Sequence, residues 1–167
     1  MRGLLAVLAV VVLSACTLAP NVPAPSPAAP SGVPSATATV THGSGGGPSF
    51  EVRYGDTALV VHAATFCTSG GGVSRCVDGV DEAPPRIRSS QEVFVRVSVA
   101  EFDKLEVGLS PSQGSGSASV ARVERLGERW WRVRPSGPAG VYRVSFFASG
   151  NQAGDMAADM IWDVKEP

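Results

Sequence analysis

Apolar and polar residues alternate along much of the chain after Phe50. An alternation with a period of two puts every second side chain on the same face of a β-strand, so it predicts strands that each bury one face. No segment shows the apolar periodicity of an amphipathic helix, and turn-rich pieces separate the alternating segments. The sequence therefore predicts an all-β fold, an antiparallel sandwich of two sheets. The predicted inward residues of four segments are Phe50, Val52 and Tyr54; Val93, Val95, Val97 and Val99; Leu105, Val107 and Leu109; and Tyr142, Val144 and Phe146.

The last alternating segment, residues 155–164, has a second periodicity that tests this interpretation. Asp155, Asp159 and Asp163 recur every four residues, and on a helix they would stack like charges on successive turns. On a strand they lie on one face about 13 Å apart, too far to share a metal ion. The segment is therefore predicted to be the last strand. Its predicted inward residues are Met156, Ala158, Met160, Trp162 and Val164.

The N-terminus has the layout of a secretory signal. A positive start precedes an apolar run of eleven residues, Gly3 to Leu13, and two small residues follow. The run is shorter than the roughly 20 residues that a membrane-spanning helix needs. The next residue is Cys16, and Leu13-Ser14-Ala15-Cys16 resembles the lipobox of bacterial lipoproteins.

This resemblance implies an address and an anchor. Residues 1–15 would be a signal peptide cleaved before Cys16, whose thiol would carry a diacylglyceryl group. With two or more acyl chains the protein would stay attached to the cell membrane on its extracytoplasmic face. A plain cleaved signal and an uncleaved anchor are the alternatives.

A segment without charged residues follows the signal. From Thr17 to Pro48 there is no Asp, Glu, Lys or Arg, and seven of the 32 residues are proline. Such a composition buries too little apolar surface to offset its ordering entropy. Residues 16–48 are therefore predicted to be a disordered tether, with a reach between about 30 Å as a coil and about 100 Å when extended. Residues 49–167 remain as one domain.

The chain has three cysteines. If Cys16 is lipidated, Cys67 and Cys76 remain as a pair, and an oxidising location favours a disulfide across the flexible loop between them. The alternative is a metal site completed by His42 and His62, although the two cysteines lack the close spacing of a zinc knuckle.

Two further resemblances concern the fold. Gly137–Gly150, followed by a strand with an inward Trp162, resembles the closing hairpin of immunoglobulin-like sandwiches. It implies a tyrosine corner, with the Tyr142 ring buried and its hydroxyl bonded back to the preceding turn. Cys67 and Cys76 are too close in sequence to be the bridge between sheets in that family. Phe66–Gly79 is similar to small cysteine loops of uncharacterised secreted proteins from high-GC bacteria, and neither resemblance implies a function.

One arginine-rich hairpin, residues 122–134, contains two adjacent tryptophans. Because neighbouring strand residues point to opposite faces, Trp131 is predicted to enter the core in register with Val133. Trp130 would then be exposed beside Arg132 and Arg134, forming an aromatic and cationic surface of the kind enriched at binding hot spots. The alternative is that arginine stems merely pack over the second ring.

Catalytic motifs are scarce. The sequence contains no G-x-S-x-G, H-E-x-x-H or phosphate-binding loop. His62 is interpreted as structural or solvent-facing, and Asp78 with Asp81 or Glu82 as a solvated acidic loop in preference to a weak calcium site. No catalytic residue, metal ligand or cofactor is therefore predicted.

The predicted function is a noncatalytic, lipid-anchored binding module that engages an envelope protein or a cell-wall component. Nucleic acid is not an expected partner outside the cell, and the net charge is −1. One alternative is an accessory to an envelope hydrolase, or a degenerate enzyme, which would require a cleft with His62 and a carboxylate. The other is a structural spacer.

Overall fold

The computed structural model describes residues 28–43, 46–70, 73–81, 83–89, 92–113 and 116–166. Within these ranges the secondary structure is entirely β, which confirms the predicted fold class. The described residues form thirteen strands: β1 (Ala38–His42), β2 (Ser49–Tyr54), β3 (Thr57–His62), β4 (Thr65–Gly70), β5 (Val73–Val77), β6 (Arg86–Ser89), β7 (Val93–Val97), β8 (Lys104–Pro111), β9 (Ser119–Val120), β10 (Arg122–Gly127), β11 (Trp130–Arg134), β12 (Gly140–Gly150) and β13 (Gly154–Val164).

The strands form two sheets. The first has six strands in the order β1-β3-β2-β7-β11-β10, and the second has the order β5-β4-β13-β12-β8-β9 with β6 paired to β13 outside this path. The pairs β1–β3 and β6–β13 are parallel. The other pairs in the described part of the chain are antiparallel, as the short turn-linked strands predict.

One hydrophobic core lies between the two sheets. Phe50 of the first sheet stacks on Phe146 of the second, with ring centroids 5.3 Å apart. The inward residues predicted from the alternation are buried in this core or, for Tyr54 and Val99, packed against it. The five predicted inward residues of β13 are buried too, so its interpretation as the last strand is confirmed.

The hairpin of β12 and β13 is the longest in the described residues, and eleven residue pairs join its strands. Gly154 begins β13 with φ of +105°. A Cβ atom at this position would also collide with the carbonyl oxygen of Cys67 on the neighbouring strand. Glycine is therefore required here both for the turn and for the close approach of β4.

Tyr142 makes the contact that the tyrosine-corner resemblance implies. Its ring is buried, and its hydroxyl donates a hydrogen bond to the carbonyl oxygen of Pro138, 2.7 Å away, in the turn before β12. The prediction for this residue is confirmed. The bond fixes the turn onto the end of the sheet.

The prediction of a disordered tether reaching Pro48 is wrong for its last part. Ala38–His42 forms β1, which lies parallel to β3 at the edge of the first sheet. The backbone N–H groups of Thr37 and Ala38 both point at the carbonyl oxygen of Asp56, at 2.7 and 3.3 Å. The segment is rich in threonine and valine, which suit a strand, and its lack of charge lets it add to a sheet edge.

Candidate functional site

Two predicted features lie outside the described residues. The signal peptide, residues 1–15, and the lipidated Cys16 both precede residue 28, where the described part of the chain begins. The lipobox assignment therefore stays a prediction.

The predicted disulfide between Cys67 and Cys76 is present. The two residues lie directly opposite each other on the antiparallel strands β4 and β5. The sequence suggested a flexible loop, and the structure instead has a short hairpin at the edge of the second sheet. Because the bond uses both sulfur atoms, neither remains as a thiolate ligand for a metal.

The two adjacent tryptophans of β11 point to opposite faces, as predicted. Trp131 joins the core between the sheets and is 3% exposed, so its prediction is confirmed. Trp130 lies on the outer face of the six-stranded sheet. The prediction that Trp130 is exposed is wrong, because only 1% of its surface is accessible.

Two arginines from neighbouring strands cover part of the Trp130 ring. The guanidinium carbon of Arg53 on β2 lies 4.6 Å from the ring centroid. That of Arg96 on β7 lies 6.0 Å away, and Arg96 is the direct strand partner of Trp130. A cation this close to an indole face is attracted by the ring quadrupole.

A proline-containing segment packs against the residues around Trp130. Residues 28–37, here called the strap, contact three residues around Trp130. Arg53 Nη1 donates a hydrogen bond to the carbonyl oxygen of Pro34, 3.1 Å away. A Cβ atom on Gly127, the residue paired with Trp130, would lie 3.0 Å from Cγ of Pro30, and one on Gly32 would lie 3.9 Å from Nη2 of Arg132. The strap therefore lies across the outer side of Trp130.

Arg132 and Arg134 occupy the same sheet face as Trp130, but their contacts differ from those predicted. The Arg132 guanidinium carbon lies 5.7 Å from the ring centroid of Phe94, its partner across the ladder. Phe94 is also buried on the outer side of the sheet. We call Arg53, Phe94, Arg96, Trp130 and Arg132 together the Trp130 face.

Three glutamates neutralise the arginines of this surface. The sequence predicted an aromatic and cationic surface beside Trp130, and the sheet brings carboxylates from neighbouring strands and loops beside its guanidinium groups. Around Trp130 the surface is therefore close to neutral, which corrects the prediction of a cationic surface at Arg132 and Arg134. The contacts are Arg53 Nε–Glu51 Oε1 (2.6 Å), Arg96 Nε–Glu51 Oε2 (3.4 Å), Arg132 Nε–Glu92 Oε2 (3.6 Å), Arg132 Nη1–Glu124 Oε2 (3.1 Å) and Arg134 Nε–Glu92 Oε2 (3.0 Å).

Two donors of the Trp130 face are buried without a hydrogen bond, although Glu92 Oε2 lies 3.6 Å from one of them, Arg132 Nε. Trp130 Nε1 and Arg132 Nε have no hydrogen-bond partner within the ranges that the structure describes. A buried donor left unpaired costs about 1–3 kcal/mol. The strap therefore shields the face but leaves these two hydrogen-bond donors of the face unpaired.

The sequence reasoning missed Arg53, Phe94 and Arg96. Each occupies an outward position of a correctly predicted strand, in FEVRY or VFVRV. The alternation shows that these side chains point outward, but it does not show that β7 lies beside the strand with the two tryptophans. The strand order was the missing information.

The positions of the two histidines differ from those that the enzyme alternative requires. His62 ends β3, and its Nδ1 is buried without a partner among the described residues. His42, on β1, makes the carboxylate contact, with Nε2 3.0 Å from Asp81 Oδ2. Asp78 accepts a hydrogen bond of 3.1 Å from the Thr65 hydroxyl. No group of three or more His, Cys, Asp or Glu side chains gathers as a metal site in the described ranges.

Comparison of the chain with protein-family models, with curated proteins and with solved structures finds no match. Within the residues described, no helix has the length and apolar character to cross a membrane. The class that the fold and site define is thus an all-β, two-sheet domain whose outer face carries a covered aromatic and arginine cluster.

Proposed function

We propose that this chain is a noncatalytic, lipid-anchored binding module on the extracytoplasmic face of the cell membrane. The lipobox-like Leu13-Ser14-Ala15-Cys16 supports the anchor. The sandwich supports an immunoglobulin-like domain, and the Tyr142–Pro138 hydrogen bond is the contact that favours this finer assignment.

The single observation that carries the binding role is the packing of the strap on the Trp130 face. A tryptophan on the outside of a sheet is 1% exposed, with two arginines over its ring and the strap against the residues around it. Tryptophan and arginine dominate binding hot spots because they combine a large contact area with hydrogen bonding. A surface that packs a peptide of its own chain has the shape and chemistry to pack one from a partner.

The anchor is tested by mass spectrometry of the protein purified from membranes. We expect a mature N-terminus at Cys16 carrying a diacylglyceryl mass, and we expect Cys16→Ser to leave an unprocessed precursor. A mature soluble protein that starts at another residue and lacks an acyl mass would contradict the anchor.

The binding role is tested by site-specific photo-cross-linking in intact cells. A benzophenone side chain at Arg134, at the rim of the Trp130 face, should form adducts with an envelope component. The matched control is the same side chain at Phe147, which is 42% exposed on the outside of the other sheet. No adduct at either position favours the spacer alternative, and equal adducts at both positions contradict a specific surface.

A further inference from the structure

The strap is an incomplete partner for the Trp130 face. Arg53 donates to one strap carbonyl, while Trp130 Nε1 and Arg132 Nε remain without acceptors within the described part of the chain. Both atoms are buried, so water does not readily replace the missing acceptor. A peptide that places carbonyl oxygens at these two donors would bind the face better than the strap does.

The charges of the face define the kind of peptide that fits. Arg53, Arg96 and Arg132 each have a glutamate partner. An acidic ligand would have to displace these carboxylates, and a basic ligand would meet the guanidinium groups. The strap itself contains no charged residue and has prolines at 30 and 34. The strap turns at Ser31 and Gly32, where the backbone N–H of Val33 donates a hydrogen bond of 3.2 Å to the carbonyl oxygen of Pro30. The fitting ligand is therefore uncharged and proline-containing.

Proline-rich peptides suit such a face for a physical reason. Each proline fixes one backbone dihedral angle, so less conformational entropy is lost on binding, and its nitrogen has no N–H to compete for the carbonyl oxygens. Aromatic side chains that pack against the proline rings and an indole N–H that donates to a carbonyl are the usual means of recognition. Trp130 and Phe94 supply the rings, and Trp130 Nε1 supplies the donor.

We propose that the Trp130 face is a binding site for an uncharged, proline-containing segment of another envelope protein, and that the strap is its exchangeable internal occupant. This inference deepens the proposed function and rests on it. The strap keeps the aromatic rings covered until a peptide that satisfies the two free donors displaces it.

The first step of the test releases the strap and measures the exposure of Trp130. Gly32 has φ of +92°, so Gly32→Val strains the strap while every residue of the Trp130 face keeps its identity. The chain has three tryptophans, and all are buried. In the purified full chain, Gly32→Val should make one of them quenchable by acrylamide, and adding Trp130→Phe should abolish that quenching. A variant with Pro30→Gly and Pro34→Gly should behave in the same way.

The second step adds a defined ligand in trans. A synthetic peptide of residues 28–37, which has no tryptophan, should restore the shielding of Trp130 in the Gly32→Val chain. A peptide with both prolines replaced by alanine should bind about tenfold more weakly, because the free peptide then has more backbone freedom to lose on binding. Adding Gly127→Val should block the peptide, since a Cβ there would meet the Pro30 ring at 3.0 Å. Gly46→Val is the matched control, because a Cβ at Gly46 meets nothing within 4 Å.

Three results would overturn the inference. Trp130 that stays shielded in both strap variants would show that the strap is not its cover. A quenchable Trp130 that no peptide protects would show that the face is not a peptide site. Shielding that returns with protein concentration, together with dimers in size-exclusion chromatography, would make a second copy of this chain the occupant. If the peptide binds while cells give no cross-link at Arg134, the proposed function fails and the peptide site stands.

Discussion

Trp130 and Trp131 are neighbours in the sequence, but different parts of the molecule bury them. Trp131 is enclosed by core residues of both sheets. Trp130 is enclosed by arginine side chains and by the strap, which contacts the residues around it. The first environment is rigid because both sheets are hydrogen-bonded networks, whereas the second includes a single peptide segment that can shift. Equal burial therefore does not mean an equal response to substitution.

Alanine substitutions at the two tryptophans test this difference. Trp131→Ala leaves a cavity in a core that cannot collapse, so we expect the free energy of unfolding to fall by about 3–5 kcal/mol. Trp130→Ala should cost less, about 1–3 kcal/mol, because the strap can move into the vacated space. Denaturant melts of the full chain measure both values. Equal losses at both positions would show that the strap is as rigid as the core.

Asp163 on β13 provides a test by pH. It accepts a hydrogen bond from Arg88 Nε at 2.9 Å and one from Arg86 Nη2 at 3.2 Å. The hydrogen bond from Arg88, and then the contact with Arg86, hold the pKa of this carboxyl below its ordinary value. The folded state therefore binds the proton more weakly than the unfolded state. The resulting stabilisation is complete above about pH 4 and is lost as the pH falls through the lowered pKa.

We expect Asp163→Asn to destabilise the protein at neutral pH by removing the ion pairs that join β13 to Arg86 and Arg88 on β6. The difference from the native sequence should shrink as the pH falls through the lowered pKa, because the carboxyl is then protonated in both states. Asp155→Asn is the matched control, because it removes the same charge from the same face of β13 away from β6. Melts at several pH values measure the effect, and a difference that is independent of pH would contradict the role of the two arginines.

At the scale of elements, the sequence predicted those strands and contacts that depend on local patterns of residues. The alternation in residues 155–164 identified β13 and its inward residues, and the segment before β12 identified the Tyr142 contact. The same reasoning missed β1, because its pairing with β3 joins distant parts of the chain and its composition resembles that of a linker. It also missed Arg53 and Phe94 as neighbours of the tryptophan strand. Strand order and register depend on packing across the whole sheet, which no local pattern contains.

The disulfide hairpin is an element whose contribution can be measured separately. In the described topology β5 is the edge strand of its sheet and pairs with β4. A thiol count on the folded protein should find neither Cys67 nor Cys76 free. Replacing both by serine should lower the free energy of unfolding by about 2.5–3 kcal/mol, the value for so short a loop.

The same substitution should act locally. Hydrogen exchange at the amides of β5 should accelerate by more than the loss of global stability explains. At the amides of β12 and β13 it should accelerate only by the amount that this loss explains. A domain that cannot fold without the disulfide would contradict the view that the core between the sheets supplies most of the stability.

At the scale of the whole molecule, the strap changes the distance between the domain and the membrane. If Cys16 carries the anchor, only eleven residues, 17–27, separate it from the described part of the chain. The covalent length of that link limits the separation to about 40 Å, compared with about 100 Å for a tether that extends to Pro48. Displacement of the strap alone would lengthen the link to 21 residues, 17–37, and raise its covalent limit to about 75 Å. Binding of a peptide at the Trp130 face would thereby be coupled to the height of the domain above the membrane.

Limited proteolysis of the purified full chain tests where the folded domain begins. Residues 28–48 contain no charged residue, so a protease of broad specificity such as proteinase K is required. Because the strap packs on the Trp130 face and β1 pairs with β3, we expect the smallest resistant fragment to begin near Ala28. The Gly32→Val chain should be cut further along, between the strap and β1, while Gly46→Val should give the native fragment. Mass spectrometry locates each N-terminus, and a native fragment that begins near Ser49 would show that the strap and β1 are not part of the stable domain.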